Sequence, residues 1–165
     1  MHSELEQLLI LQDRDQKIRQ IRTEIETVPL RRSSLEAQLA ASRASVEGLK
    51  QRARQVEIDR KRLELDVGTR TETVSRLKTQ QYQTRKNEEF RAIGHEIERY
   101  ENEIRKIEDD ELELMVLADK VKADLTEEEK KATAAQNSIA RQTADLEEKS
   151  KALESQLQGL SKERS

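Results

Sequence analysis

A heptad phase that never slips constrains this chain more than any other feature. Counted from Leu11, position a falls on Leu11, Ile18, Ile25, Arg32, Leu39, Val46, Ala53, Arg60, Val67 and Val74. Position d falls on Arg14, Ile21, Val28, Leu35, Ser42, Leu49, Val56, Leu63, Arg70 and Leu77. A second run opens at Phe90, with a at Ile97, Ile104, Glu111, Ala118, Leu125, Ala132, Ile139, Leu146, Leu153 and Leu160. Its d positions are Ile93, Tyr100, Ile107, Leu114, Val121, Glu128, Ala135, Gln142, Lys149 and Gln156. Apolar residues alternating three and four apart over so many heptads mark a coiled coil, not a globular amphipathic helix.

The stretch from Tyr82 to Phe90 separates the two runs. Asn87 is a good N-cap there, with Glu88 and Glu89 where the first turn of a helix favours negative charge. The predicted fold is therefore all-α, a long antiparallel two-helix coiled-coil hairpin. Arm one covers about residues 3–83, the hinge about 84–88 and arm two about 88–163. Each arm of roughly 80 residues would span about 120 Å. Antiparallel pairing about this hinge sets Leu77 against Ile97, Val74 against Tyr100, Leu49 against Leu125 and Leu35 against Ile139. It also lays Arg60 one layer from Glu111, where each offsets the other's cost at the seam. The polar d positions beyond Val121 predict weaker packing there. Pro29 removes a backbone donor and clashes with the preceding turn, so a kink or break is expected near residues 26–30, with Ser33 or Ser34 capping the resumed helix.

Composition removes most functional classes. With 39% charged, 33% hydrophobic and 2% aromatic residues, the chain cannot fill a globular core. Net charge is −3, so no global basic field draws in nucleic acid. Residues 1–83 carry 16 basic against 13 acidic side chains and residues 84–165 carry 15 against 21, so +3 faces −6. That mild complementarity favours antiparallel pairing. No cysteine is present, which excludes disulfides, a thiolate nucleophile and cysteine metal sites in this chain. No apolar run approaches the ~20 residues of a membrane span. Leu8-Leu9-Ile10-Leu11 is too short for a signal peptide core, so the expected location is cytoplasmic.

Several motifs carry a family resemblance. Asn87-Glu88-Glu89-Phe90-Arg91-Ala92-Ile93, then His95-Glu96-Ile97-Glu98, then Glu108-Asp109 and Leu112-Glu113-Leu114-Met115, resemble bacterial coiled-coil proteins that end in a four-cysteine zinc ribbon. Leu8-Leu9-Ile10-Leu11-Gln12 with Asp15, Ile18 and Pro29 is similar to that family's start. The resemblance implies a helical hairpin acting as an adaptor or chaperone, with members linked to flagellar or type III secretion export and to sigma-54, and one to RNA. It implies zinc only in a ribbon beyond Ser165; these residues themselves are expected to hold no cofactor.

No catalytic constellation stands out. His2 lies at the start and His95 at a solvent-facing f position, neither with a second ligand at metal spacing. No Gly-rich phosphate loop or Ser/His/Asp set occurs, so no enzyme is expected. Apolar residues outside the seam are more informative. Leu8, Leu9 and Ile10, with Leu5, make the first turns apolar all round. Ile58 and Leu65 occupy f positions, and Leu112, Met115, Val116 and Leu117 occupy b, e, f and g. Exposed clusters of this kind mark contacts with protein partners or with further copies of the chain. The alternative is a nucleic-acid-binding arm using the basic hinge, Arg76, Lys78, Arg85, Lys86 and Arg91, with Tyr82 as its exposed aromatic. No small-molecule substrate is expected.

Overall fold

The computed structural model describes residues 2–164. Helix α1 runs His2–Gln83, 82 residues, and α2 runs Asn87–Arg164, 78 residues. The two pack against each other as an antiparallel hairpin. Two compact units are distinguished along it: Met1–Ser45 with Glu129–Ser165, and Val46–Glu128.

The turn lies in the second unit and has three non-helical residues, Thr84, Arg85 and Lys86. Thr84 still donates its N–H to the Gln80 carbonyl at 3.0 Å, so α1 closes its last turn without a left-handed residue. The Phe90 N–H donates to the Lys86 carbonyl at 3.0 Å, which makes Lys86, not Asn87, the capping residue of α2. Glu88 and Glu89 sit in the first turn, as expected from the helix dipole. Thr84 Oγ1 donates to Glu89 Oε2 at 2.8 Å, so a side chain from the turn ties the new helix down.

In the same unit Val74, Leu77 and Ile97 form a buried cluster, with Ile93, Tyr100 and Ile104 packed on it. These are the a and d residues that the heptad register brings together. The Arg99 guanidinium lies 4.9 Å from the Tyr100 ring centroid and covers its outer side. Arg70, a cation at a d position, donates Nε to Glu103 Oε2 across the pair at 3.1 Å and meets Asp66 at 3.1 Å along its own helix. The Glu103 hydrogen bond holds the Arg70 pKa above its ordinary value, with burial opposing and Asp66 adding. Arg60 differs from expectation. Its guanidinium pairs with Glu57 on the same helix at 2.9 Å, not with Glu111. A long side chain can run outward along its own helix and keep its head in water.

In the first unit Val28, Leu35, Ile139 and Leu146 form the core, with Leu39 against them. Leu35 and Ile139 meet there, as the register requires. Helix α1 passes through Pro29 without a break, so Ser33 and Ser34 lie inside a helix and cap nothing. Pro29 itself is exposed while its neighbour Val28 is buried, so the ring is on the solvent side and the core contact at Val28 is kept.

The thinning expected along the later part of α2 is confined to d. Gln142, Lys149 and Gln156 are exposed, and Thr143, Ser150 and Leu157, one residue on, are half-buried instead. Ile139, Leu146 and Leu153 stay buried throughout. The a stripe stays at the seam, so the partner helix covers its e side here and not its d side.

Candidate functional site

Three exposed features stand out once the seam is accounted for. The first is the start of α1, where Leu5, Leu8, Leu9, Ile10 and Leu11 are all exposed. Leu11, an a residue by its phase, was expected at the seam and is not covered. All five precede Arg14, which meets Glu163 across the pair at 3.7 Å.

The second feature lies in the unit Val46–Glu128. Leu112 is 60% exposed, Met115 47% and Val116 71%. Positions b, e and f share one flank of a helix, so these three form a single apolar stripe on α2. Leu117 is separate: it is half-buried and lines a groove with Leu63 and Leu114, between Asp59 and Asp110. Ile58 and Leu65 are exposed on α1. Position f on each helix points away from the pair, so Ile58 and Leu65 cannot share a face with Val116. The residues grouped at this level by sequence therefore form two surfaces, and the denser one belongs to α2.

The third feature is the hairpin tip. Arg76, Lys78, Arg85, Lys86 and Arg91 are all exposed. Lys78 reaches Glu101 at 3.5 Å and Lys86 reaches Glu89 at 4.0 Å. Arg76, Arg85 and Arg91 make no ion pair among the described residues. Tyr82 is 91% exposed, and so, against its a-position phase, is Phe90 at 50%. Phe90 belongs to the last layer of the pair, opposite the small side chain of Thr84, with no further layer beyond it. Gln81 Nε2 donates to the Phe90 carbonyl at 3.2 Å and closes the seam just behind it. The tip thus shows two aromatic side chains, where periodicity gave only Tyr82.

His95 is exposed on α2. Among the described residues no group of three His, Asp or Glu side chains is placed to hold a metal ion, and no helix is long and apolar enough to cross a membrane.

No family model matches the chain, and no curated protein matches it. Among solved structures it is similar to CT398 from Chlamydia trachomatis, determined at 2.12 Å resolution, with a TM-score of 0.73 and 22% identity. The match covers 98% of this chain and 72% of that chain. At this identity the likeness is one of fold: nearly the whole hairpin recurs in that protein.

Proposed function

We propose that this chain is a non-enzymatic scaffold that docks proteins on the exposed stripe of α2, as an adaptor or chaperone does. The observation that supports it is the grouping of Leu112, Met115 and Val116, all exposed, on one flank of a helix in a chain that is 39% charged. Such a chain has ample polar residues for solvent-facing positions, and contiguous exposed apolar side chains mark interaction surfaces. Burying one of them against a partner contributes roughly 1.5–3 kcal/mol. Met115 adds a flexible, polarisable side chain that adapts to varied partners. The exposed start of α1, Leu5 to Ile10, is a second docking element of the same kind.

A bacterial setting, and a link to secretion, flagellar export or sigma-54, rest on the sequence resemblance. So does a zinc ribbon following this hairpin. The test is a pair of variants, Met115→Glu with Val116→Glu, and Ile58→Glu with Leu65→Glu. Both should keep the helical circular dichroism of the parent. The first should lose a co-purifying or self-associated protein, and the second should keep it. Retention of that protein by the first pair would refute this docking surface.

A further inference from the structure

The same chain carries a surface complementary to the stripe. Immediately before and within the stripe α2 is acidic, with Glu108, Asp109, Asp110 and Glu113 all exposed. The stripe is thus an acidic and apolar strip. The tip is its converse, with Arg85 and Arg91 free of ion pairs beside the exposed rings of Tyr82 and Phe90. Arg91 and Leu112 both occupy b, three heptads apart, and so stand on one flank about 30 Å apart along the helix. That flank is the one on which Lys78 reaches Glu101, both at e. Rigid helix separates the two surfaces, so they cannot meet within one molecule.

We propose that the stripe of α2 receives the hairpin tip of a second copy of this chain, forming a two-fold dimer. The inference rests on the stripe being a protein-docking surface and names its occupant. A two-fold axis near Glu101 and Asn102, perpendicular to α2, makes both docking contacts at once. It sets Arg91 of one copy among Glu108, Asp109 and Leu112 of the other, and its partner likewise. Between the two contacts it places Glu98 beside Arg105. Both of these are exposed and neither makes an ion pair among the described residues. Phe90 then lies near Met115, a favourable sulfur–aromatic pairing. Because each copy gives and receives a tip, the contact closes on itself and does not propagate into a fibre.

Two other occupants of the tip fit less well. A nucleic-acid strand would leave the tip cations within two turns and then run along a surface of mixed charge, Glu96, Glu98, Glu101 and Glu103 among Arg99, Arg105 and Lys106, with no continuing basic track. An unrelated acidic protein would satisfy the tip but leave the acidic-apolar stripe without a counterpart.

The test uses two charge-swapped forms of the full chain in sedimentation velocity. One carries Arg85→Glu with Arg91→Glu, the other Glu108→Lys with Asp109→Lys. Wild type should dimerise, more weakly as salt rises. Each swapped form alone should dimerise at least about tenfold more weakly, because like charges then oppose each other in both contacts. An equimolar mixture of the two should regain the dimer, since one contact then pairs the swapped surfaces and the other pairs the native ones. A wild-type chain that stays monomeric, a dimer indifferent to both swaps, or a mixture that stays monomeric would each overturn the proposal. Single-stranded oligo-dT retained by the monomeric wild type and lost on the arginine swap would assign the tip to nucleic acid instead. If the dimer proposal fails while Met115→Glu with Val116→Glu still abolishes capture of another protein, the docking surface stands and only its occupant was wrong.

Discussion

Gly68 and Gly94 both lie inside continuous helices whose strength depends on propensity as well as packing. A methyl group at Gly68 would meet nothing within 4 Å, while one at Gly94 would come within 3.1 Å of Gln81 Nε2. Gly68→Ala should therefore stabilise the hairpin by about 1 kcal/mol, the ordinary difference in helix propensity. Gly94→Ala should gain less, because the Gln81 amide has to move from its bond to the Phe90 carbonyl. Thermal unfolding followed at 222 nm compares the two, and an equal or larger gain at Gly94 would show that the Gln81 clasp contributes nothing. At this scale the sequence was least legible. Phe90 has the phase of a core residue, yet it belongs to the final layer of the pair, so periodicity cannot report its exposure. Asn87 has the chemistry of a cap, but the first backbone bond begins one residue earlier, at Lys86.

Continuity is the property that matters for the elements. Helix α1 crosses Pro29 intact because Val28 and Leu35 are buried on either side of it and hold the segment helical. The missing donor and the ring clash remain, at about 3 kcal/mol in an ordinary helix interior. Amide exchange should therefore be faster over residues 25–32 than over residues 60–75, and Pro29→Ala should slow it. Uniform protection in the parent would contradict this. Arg70 makes the opposite case. It holds a d position and spans to Glu103. Replacing both partners of such a pair with apolar residues is often neutral or stabilising, whereas removing one strands the other. Arg70→Leu together with Glu103→Leu should thus match or raise the midpoint of denaturant unfolding, while Arg70→Leu alone should lower it; a clear fall in the double variant would show that the ion pair stabilises the pair of helices. The heptad phase made both helices, their turn and their pairing legible, since the same residues that set the period form the core. The shift from Gln142 to Thr143 was not legible, because the heptad phase fixes the a stripe at the seam and does not say which of its two sides the partner helix covers.

For the whole molecule, the proposed docking role rests on what the seam leaves uncovered. The stripe Leu112, Met115 and Val116 was legible as surplus apolar residues, and the structure separates it from Leu117, Ile58 and Leu65. The tip was legible as basic but not as doubly aromatic. A partner leaves no periodic trace in the chain that binds it, apart from complementary chemistry, and here that chemistry recurs within the same chain. The most direct measurement places the photo-reactive residue benzoylphenylalanine at Val116 and maps its adducts by mass spectrometry after irradiation of the intact chain. The stripe as a docking surface predicts a protein adduct joining two molecules, with the segment from Tyr82 to Arg91 of a second copy as its site. Irradiation that yields no intermolecular adduct at Val116, while the same probe at the seam residue Leu77 labels α2 of its own chain, would contradict it.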